Sequence, residues 1–146
     1  MSMFGGLEIS ASGLTAQRLR MDVTAENLAN AQTTKGADGQ PYRRKEVVLR
    51  EIPQGGFGAQ LSAAMGAQAR PGGVEVAQIA TDPTPGKLVY DPGNPDANAQ
   101  GYVQMPNVDT VTEMVDLIDA SRAYEANVTA MQASKQLFAK TLDLLR

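Results

Sequence analysis

Asp82, Asp91 and Asp96 are the carboxylates best placed for acid–base or metal chemistry, because each stands in a turn-forming segment outside the periodic runs. The run Asp91-Pro-Gly-Asn-Pro-Asp-Ala-Asn98 is rich in oxygen ligands and invites a calcium reading. It lacks the spacing of an EF-hand loop and the distal bidentate glutamate, so turn residues without a metal are the simpler account. The 146 residues include no cysteine and no histidine. Without cysteine there are no disulfides, thiolate nucleophiles or Cys-ligated metal sites. Without histidine the commonest general base and transition-metal ligand are missing too. A nucleophile, base and orienting group would have to come from Asp, Glu and Lys on turns. The expectation is therefore no enzyme, no cofactor and no metal. A hydrolytic or transfer activity lost on substitution of Asp82, Asp91 or Asp96 would reverse that reading.

Two binding chemistries can be weighed in the same way. Arg43-Arg44-Lys45 has the charge of a small nucleic-acid patch. Three cations followed by Glu46 and Glu51 fit a solvated strand face better. The net charge is −3 and aromatics make up 5% of the chain, which leaves little to attract or stack a nucleic acid. The glycines between 53 and 73 follow no phosphate-binding fingerprint.

The strongest periodic element is the C-terminal run Thr110–Arg146, which contains neither glycine nor proline. Met114, Leu117, Ser121, Tyr124, Val128, Met131, Lys135, Phe138, Leu142 and Leu145 step alternately by three and four. That spacing predicts one long helix with a coiled-coil seam, roughly 50 Å in length. Thr110 with Glu113 reads as a capping box, each side chain satisfying an end N–H of the helix. A second stripe, Ala126, Ala130, Ala133, Leu137 and Leu144, widens the apolar arc beyond what one partner helix covers. Such a helix is either the core of a compact bundle, or packs on one partner within the chain and on neighbouring subunits as well.

Residues 7–30 predict a second long helix, with Leu7, Ala11, Leu14, Arg18, Met21, Ala25 and Leu28 in the same spacing. Gly13 weakens its interior by roughly 1 kcal/mol relative to alanine. Asn27 and Asn30 lie three apart near its end, where amides bond free carbonyls or cap the turn. Neither helix is stable without packing. The expected fold is mainly α with a small β insert. The terminal helices pair as an antiparallel coiled coil around a middle domain of short antiparallel strands. The expected divisions are 1–34, 35–109 and 110–146.

All eight prolines fall between Pro41 and Pro106. Strands are predicted at Tyr42–Ile52, Gly73–Ala80 and Gly86–Asp91, the last two joined by a turn over 81–86. Three short strands suffice for a small sheet of marginal independent stability. Residues 53–73 carry six glycines and few large apolar side chains, so a flexible loop is expected there. Gly101–Asp109 runs extended into the last helix. No stretch has the length of a membrane span. The N-terminus lacks the charged and apolar regions of a Sec-type signal, although some export routes read no such signal.

Four stretches together resemble a known family. They are Glu26-Asn-Leu-Ala-Asn-Ala with its threonines, Pro41-Tyr-Arg-Arg-Lys, Tyr90-Asp-Pro-Gly-Asn-Pro-Asp-Ala-Asn, and Gly101-Tyr-Val-Gln-Met-Pro-Asn-Val-Asp running into Glu113–Asn127. The chain resembles the bacterial flagellar basal-body rod proteins over essentially its whole length. Asn94 departs from the histidine more usual in the family. The resemblance implies an axial subunit whose terminal helices pack in the inner tube of the rod. It implies partners that are other copies of the chain, other rod proteins, the inner-membrane ring or export apparatus, and the flagellar type III export machinery. It implies a place in the periplasmic rod, reached without a cleaved Sec signal. By the same resemblance Asn27, Leu28, Ala29 and Asn30 match the N-terminal motif. Asn107, Asp109, Arg122, Tyr124 and Asn127 match the C-terminal one. With the seam residues these are contact residues rather than chemistry. A soluble adaptor or chaperone-like module binding a partner helix is the alternative reading of the same heptads.

Overall fold

The structure is a computed structural model that describes residues 3–36, 38–52, 64 and 72–144. Two long helices stand at the ends of the chain. Helix α1 is Met3–Ala29, 27 residues, and α2 is Thr110–Leu144, 35 residues. Between them lie β1 (Lys45–Glu51), β2 (Val74–Thr81), β3 (Leu88–Tyr90) and β4 (Tyr102–Gln104). The fold is thus mainly helical with small antiparallel sheets. The loop expected over 53–73 falls almost wholly outside the described residues.

The predicted three-stranded sheet is instead two sheets of two strands, β1 with β2 and β3 with β4. The segment after β2 does not turn back to pair β2 with β3. Strand β3 pairs antiparallel with β4, Val89 opposite Val103, a strand hidden in the run expected only to be extended. Three residues give too short an alternation to register as a strand in sequence. Gly86 makes the pairing possible: a Cβ there would lie 1.7 Å from the Met105 carbonyl oxygen. The backbones approach so closely at the mouth of the ribbon that no side chain fits.

The start of α2 also differs from expectation. Asp109 is the N-cap, its Oδ1 accepting from Val111 N–H at 2.9 Å and Thr112 N–H at 3.2 Å. Thr110 is already helical. The capping-box partner Glu113 does not reach back to the helix start; it is buried and bonded elsewhere.

Contacts divide the chain into two compact units. The first holds the described residues of Met1–Arg18, Leu49–Ala77 and Ser121–Arg146. In it Ser12 Oγ accepts from Val74 N–H at 3.1 Å and donates to Ile9 C=O at 2.7 Å, tying the start of β2 to α1. Gly13 faces Asn127: a Cβ there would meet its amide at 3.1–3.2 Å. The glycine read from sequence as a weakness is a notch that admits a side chain from the other helix. The second unit is Leu19–Val48 with Gln78–Ala120, and it contains the site.

The buried positions among the described residues are small, branched or polar: Ala16, Val23, Val103, Pro106 and Ala120, with Ser10, Thr24, Asn27 and Glu113. This line is not the predicted seam. On α1, Leu7, Leu14, Met21 and Leu28 are half-buried, and Ala11, Arg18 and Ala25 are exposed. On α2, Leu117, Tyr124, Val128 and Met131 are half-buried, whereas Met114 is exposed. Heptad spacing identifies an apolar stripe, but the chain's own packing uses a neighbouring face of small and polar residues.

Candidate structural joint

Asn27 stands in the last turn of α1, fully bonded and 1% exposed. Its Nδ2 donates to the Lys45 carbonyl at 2.8 Å and to Glu113 Oε2 at 3.0 Å. Its Oδ1 accepts from Lys45 N–H and from the Tyr42 hydroxyl, both at 2.9 Å. Two donors and two acceptors exhaust an amide side chain. To β1, Asn27 presents the donor and acceptor of a neighbouring strand residue, so α1 holds the strand by its backbone.

Glu113, also 1% exposed, brings α2 to the same point. Its Oε1 accepts from Arg44 Nε at 2.6 Å. A carboxylate removed from water is tolerated only with such partners, and removing one would leave an uncompensated charge. Arg44 extends along α2 to Asp116 at 3.2 Å and lies 3.8 Å from Glu46. Asp116 in turn lies 3.7 Å from Arg20 of α1. The bond to Glu113 raises the pKa of Arg44, working against its burial.

The strand is clamped from its other side by Asn107. Asn107 Oδ1 accepts from Arg44 N–H at 2.7 Å, and its Nδ2 reaches Asp82 C=O at 3.4 Å. Asp82 N–H donates to the Arg44 carbonyl at 2.8 Å. Tyr42 is set by the turn before it, its N–H donating to Thr33 C=O at 3.1 Å. Burial, then the charges of Glu26 and Glu113, push its phenol up to about 12. Lys45 pairs with Glu26.

Asn27 and Asn107 are thus brought together through one dipeptide, Arg44-Lys45. Asn30 behaves as its helix-end position suggests: Nδ2 donates to Glu26 C=O at 2.9 Å and Oδ1 accepts from the Thr33 hydroxyl at 3.2 Å. Asn127 Nδ2 donates to Ala123 C=O at 2.9 Å within its own helix. Asp109 is the cap described above. Arg122 is exposed, Phe138 and Leu142 are exposed near the end of α2, and Leu145 lies outside the described residues. Sequence reasoning missed Tyr42, Arg44 and Glu113. The basic triplet is a solvated face only at Arg43, which is exposed, while Arg44 is the ion-pair anchor. The signal available was a lone glutamate in phase with Ala120 on a helix, which marks a buried charge only once an arginine is known to face it.

The oxygen-rich run is built from turns. Asp91 and Asn94 each accept a backbone N–H two residues on, and Asn98 accepts those of Gln100 and Tyr102. Thr34 donates to Asp96 at 2.7 Å. Among the described residues no cluster of acidic side chains could hold a metal ion, and no helix is long and apolar enough to cross a membrane.

Two terminal helices joined through a buried polar link, with a β-ribbon insert, define a scaffold. Residues 7–37 match the family described as flagella basal body rod protein, and residues 99–144 match the flagellar basal body rod FlgEFG protein C-terminal family. The chain is 50% identical to the flagellar basal-body rod protein FlgC of Bacillus subtilis over 149 residues, covering 99% of each. The FlgC proteins of Yersinia enterocolitica and Borreliella burgdorferi are 49% and 41% identical, again over nearly the whole of both chains. The chain belongs to the flagellar basal-body rod protein family, whose members are structural proteins rather than enzymes.

Proposed function

We infer that the chain is a FlgC-type structural subunit of the flagellar basal-body rod, assembling by helix packing into a helical tube that encloses the export channel and transmits torque. The observation that carries this reading is where the large apolar residues lie. On α2, Val111 is 69% exposed, and Met114, Val115, Ile118 and Leu137 are each half exposed or more. The buried positions of the helices hold alanine, valine, serine, threonine, asparagine and glutamate. A monomer does not gain from presenting such a stripe to water. A subunit that repeats along an open heterologous contact does.

Antiparallel pairing of α1 and α2 as a coiled coil is part of the same reading. Within the first unit Gly13 lies against Asn127. Within the second, Asn27 meets Glu113 and Arg20 meets Asp116. Rising numbers on one helix match falling numbers on the other, which supports the pairing. Residues 1–34 and 110–146 then form the axial part, and 35–109 the outer one. The partners are further copies of the chain, other rod proteins and the inner-membrane ring or export apparatus. The type III machinery delivers the chain to the periplasmic rod. The interaction surface is Leu7, Leu14, Met21 and Leu28 with the seam from Met114 to Leu145. Deleting residues 130–146 tests it: rods isolated from that strain should lack the subunit, and rods of normal composition would overturn the assignment.

A further inference from the structure

The β3–β4 ribbon has two unequal edges. Along β4, Asn98 closes the edge by donating its N–H to Tyr102 C=O at 2.9 Å and accepting Tyr102 N–H at 3.0 Å. Along β3 the ladder bonds flank Val89: Asp91 N–H reaches Gly101 C=O, and Met105 N–H reaches Lys87 C=O. The alternate residues Leu88 and Tyr90 therefore turn their N–H and C=O groups away from β4. Among the described residues no strand lies beside them. Leu88 is 66% exposed and Tyr90 64%. An apolar open edge of this kind is a template for another strand.

We propose that this edge binds the same edge of a second copy of the chain, antiparallel about a two-fold axis at Val89. The sequence Lys87-Leu-Val-Tyr-Asp91 is complementary to its own reverse. In that register Leu88 of each copy exchanges two backbone bonds with Tyr90 of the other, and Val89 packs on Val89. Lys87 stands directly opposite Asp91, twice. Parallel pairing would set lysine beside lysine, and a slip of two residues would lose both charge pairs. The contact closes at two copies, so it stands or falls independently of the open-ended packing of the rod.

Sedimentation of the purified full-length chain at rising concentration tests the proposal. The expected result is a monomer–dimer equilibrium. Lys87→Glu should raise the dimer dissociation constant about tenfold or more, and adding Asp91→Lys to it should restore dimerisation. Leu88→Pro deletes only an outward N–H, so it should abolish the dimer while far-ultraviolet circular dichroism stays unchanged. Amide exchange gives a second reading, with Leu88 and Tyr90 protected only at high concentration. A chain that stays monomeric, or a dimer indifferent to all of these substitutions, would overturn it.

Discussion

Asn27 uses every hydrogen-bonding position of its amide, and apart from glutamine, one methylene longer, no side chain offers two donors and two acceptors in one plane. Asn27→Ala should destabilise the purified chain by about 3 kcal/mol in urea unfolding, since it leaves Glu113 Oε2 and the Lys45 backbone without the amide that bonds them. Asn27→Asp should be no milder, because it sets a second carboxylate against Glu113 and against a carbonyl. Tyr42 adds a pH dependence. Its folded pKa is raised, so the neutral phenol stabilises the fold fully below the unfolded value of about 10. That contribution falls away as pH climbs toward about 12. Thermal melts across this window should show a loss that Tyr42→Phe reduces.

Each element depends on its ends as much as on its interior. The pKa of Asp109 is held down by the N–H groups of Thr112 and Val111. A depressed carboxylate contributes above its unfolded pKa of about 4, and that contribution disappears as pH falls through the folded value. The protection factors of the Val111 and Thr112 amides, measured against the intrinsic rate at each pH, should therefore fall in acid, and Asp109→Ala should lower them already at neutral pH. Asp109→Asn should keep the cap and lose the acid dependence. In the ribbon, Gly86→Ala would drive a methyl into the Met105 carbonyl. Cross-strand contacts between Leu88 and Gln104 should vanish from nuclear Overhauser spectra while the helical signal of α1 persists.

At the scale of the molecule, the buried positions of the described helices hold small or polar residues, while Val111, Met114, Val115 and Ile118 stand exposed. A paired substitution, Val115→Asp with Ile118→Asp, changes only exposed positions. The melting temperature of the purified chain should stay nearly unchanged, because surface substitutions shift stability little. Motility in soft agar should fail, and the variant should be missing from isolated rods. A motile strain would show that this stripe faces no neighbour in the assembled structure.

The sequence alone determined the two helices, through a period of three and four over many turns, and the family, through motifs spread along the whole chain. The absence of cysteine and histidine likewise narrowed the chemistry before any coordinate was known. Tertiary structure decided which face of each helix is covered. Periodicity reports where apolar residues line up, and on α1 the covered line is instead Ser10, Ala16, Val23, Thr24 and Asn27. It also decided that Arg44 and Glu113, 69 positions apart in sequence, form one ion pair. Spacing along a helix reveals a local neighbour. A charge balanced across the fold leaves no trace in the chain until its partner is brought beside it.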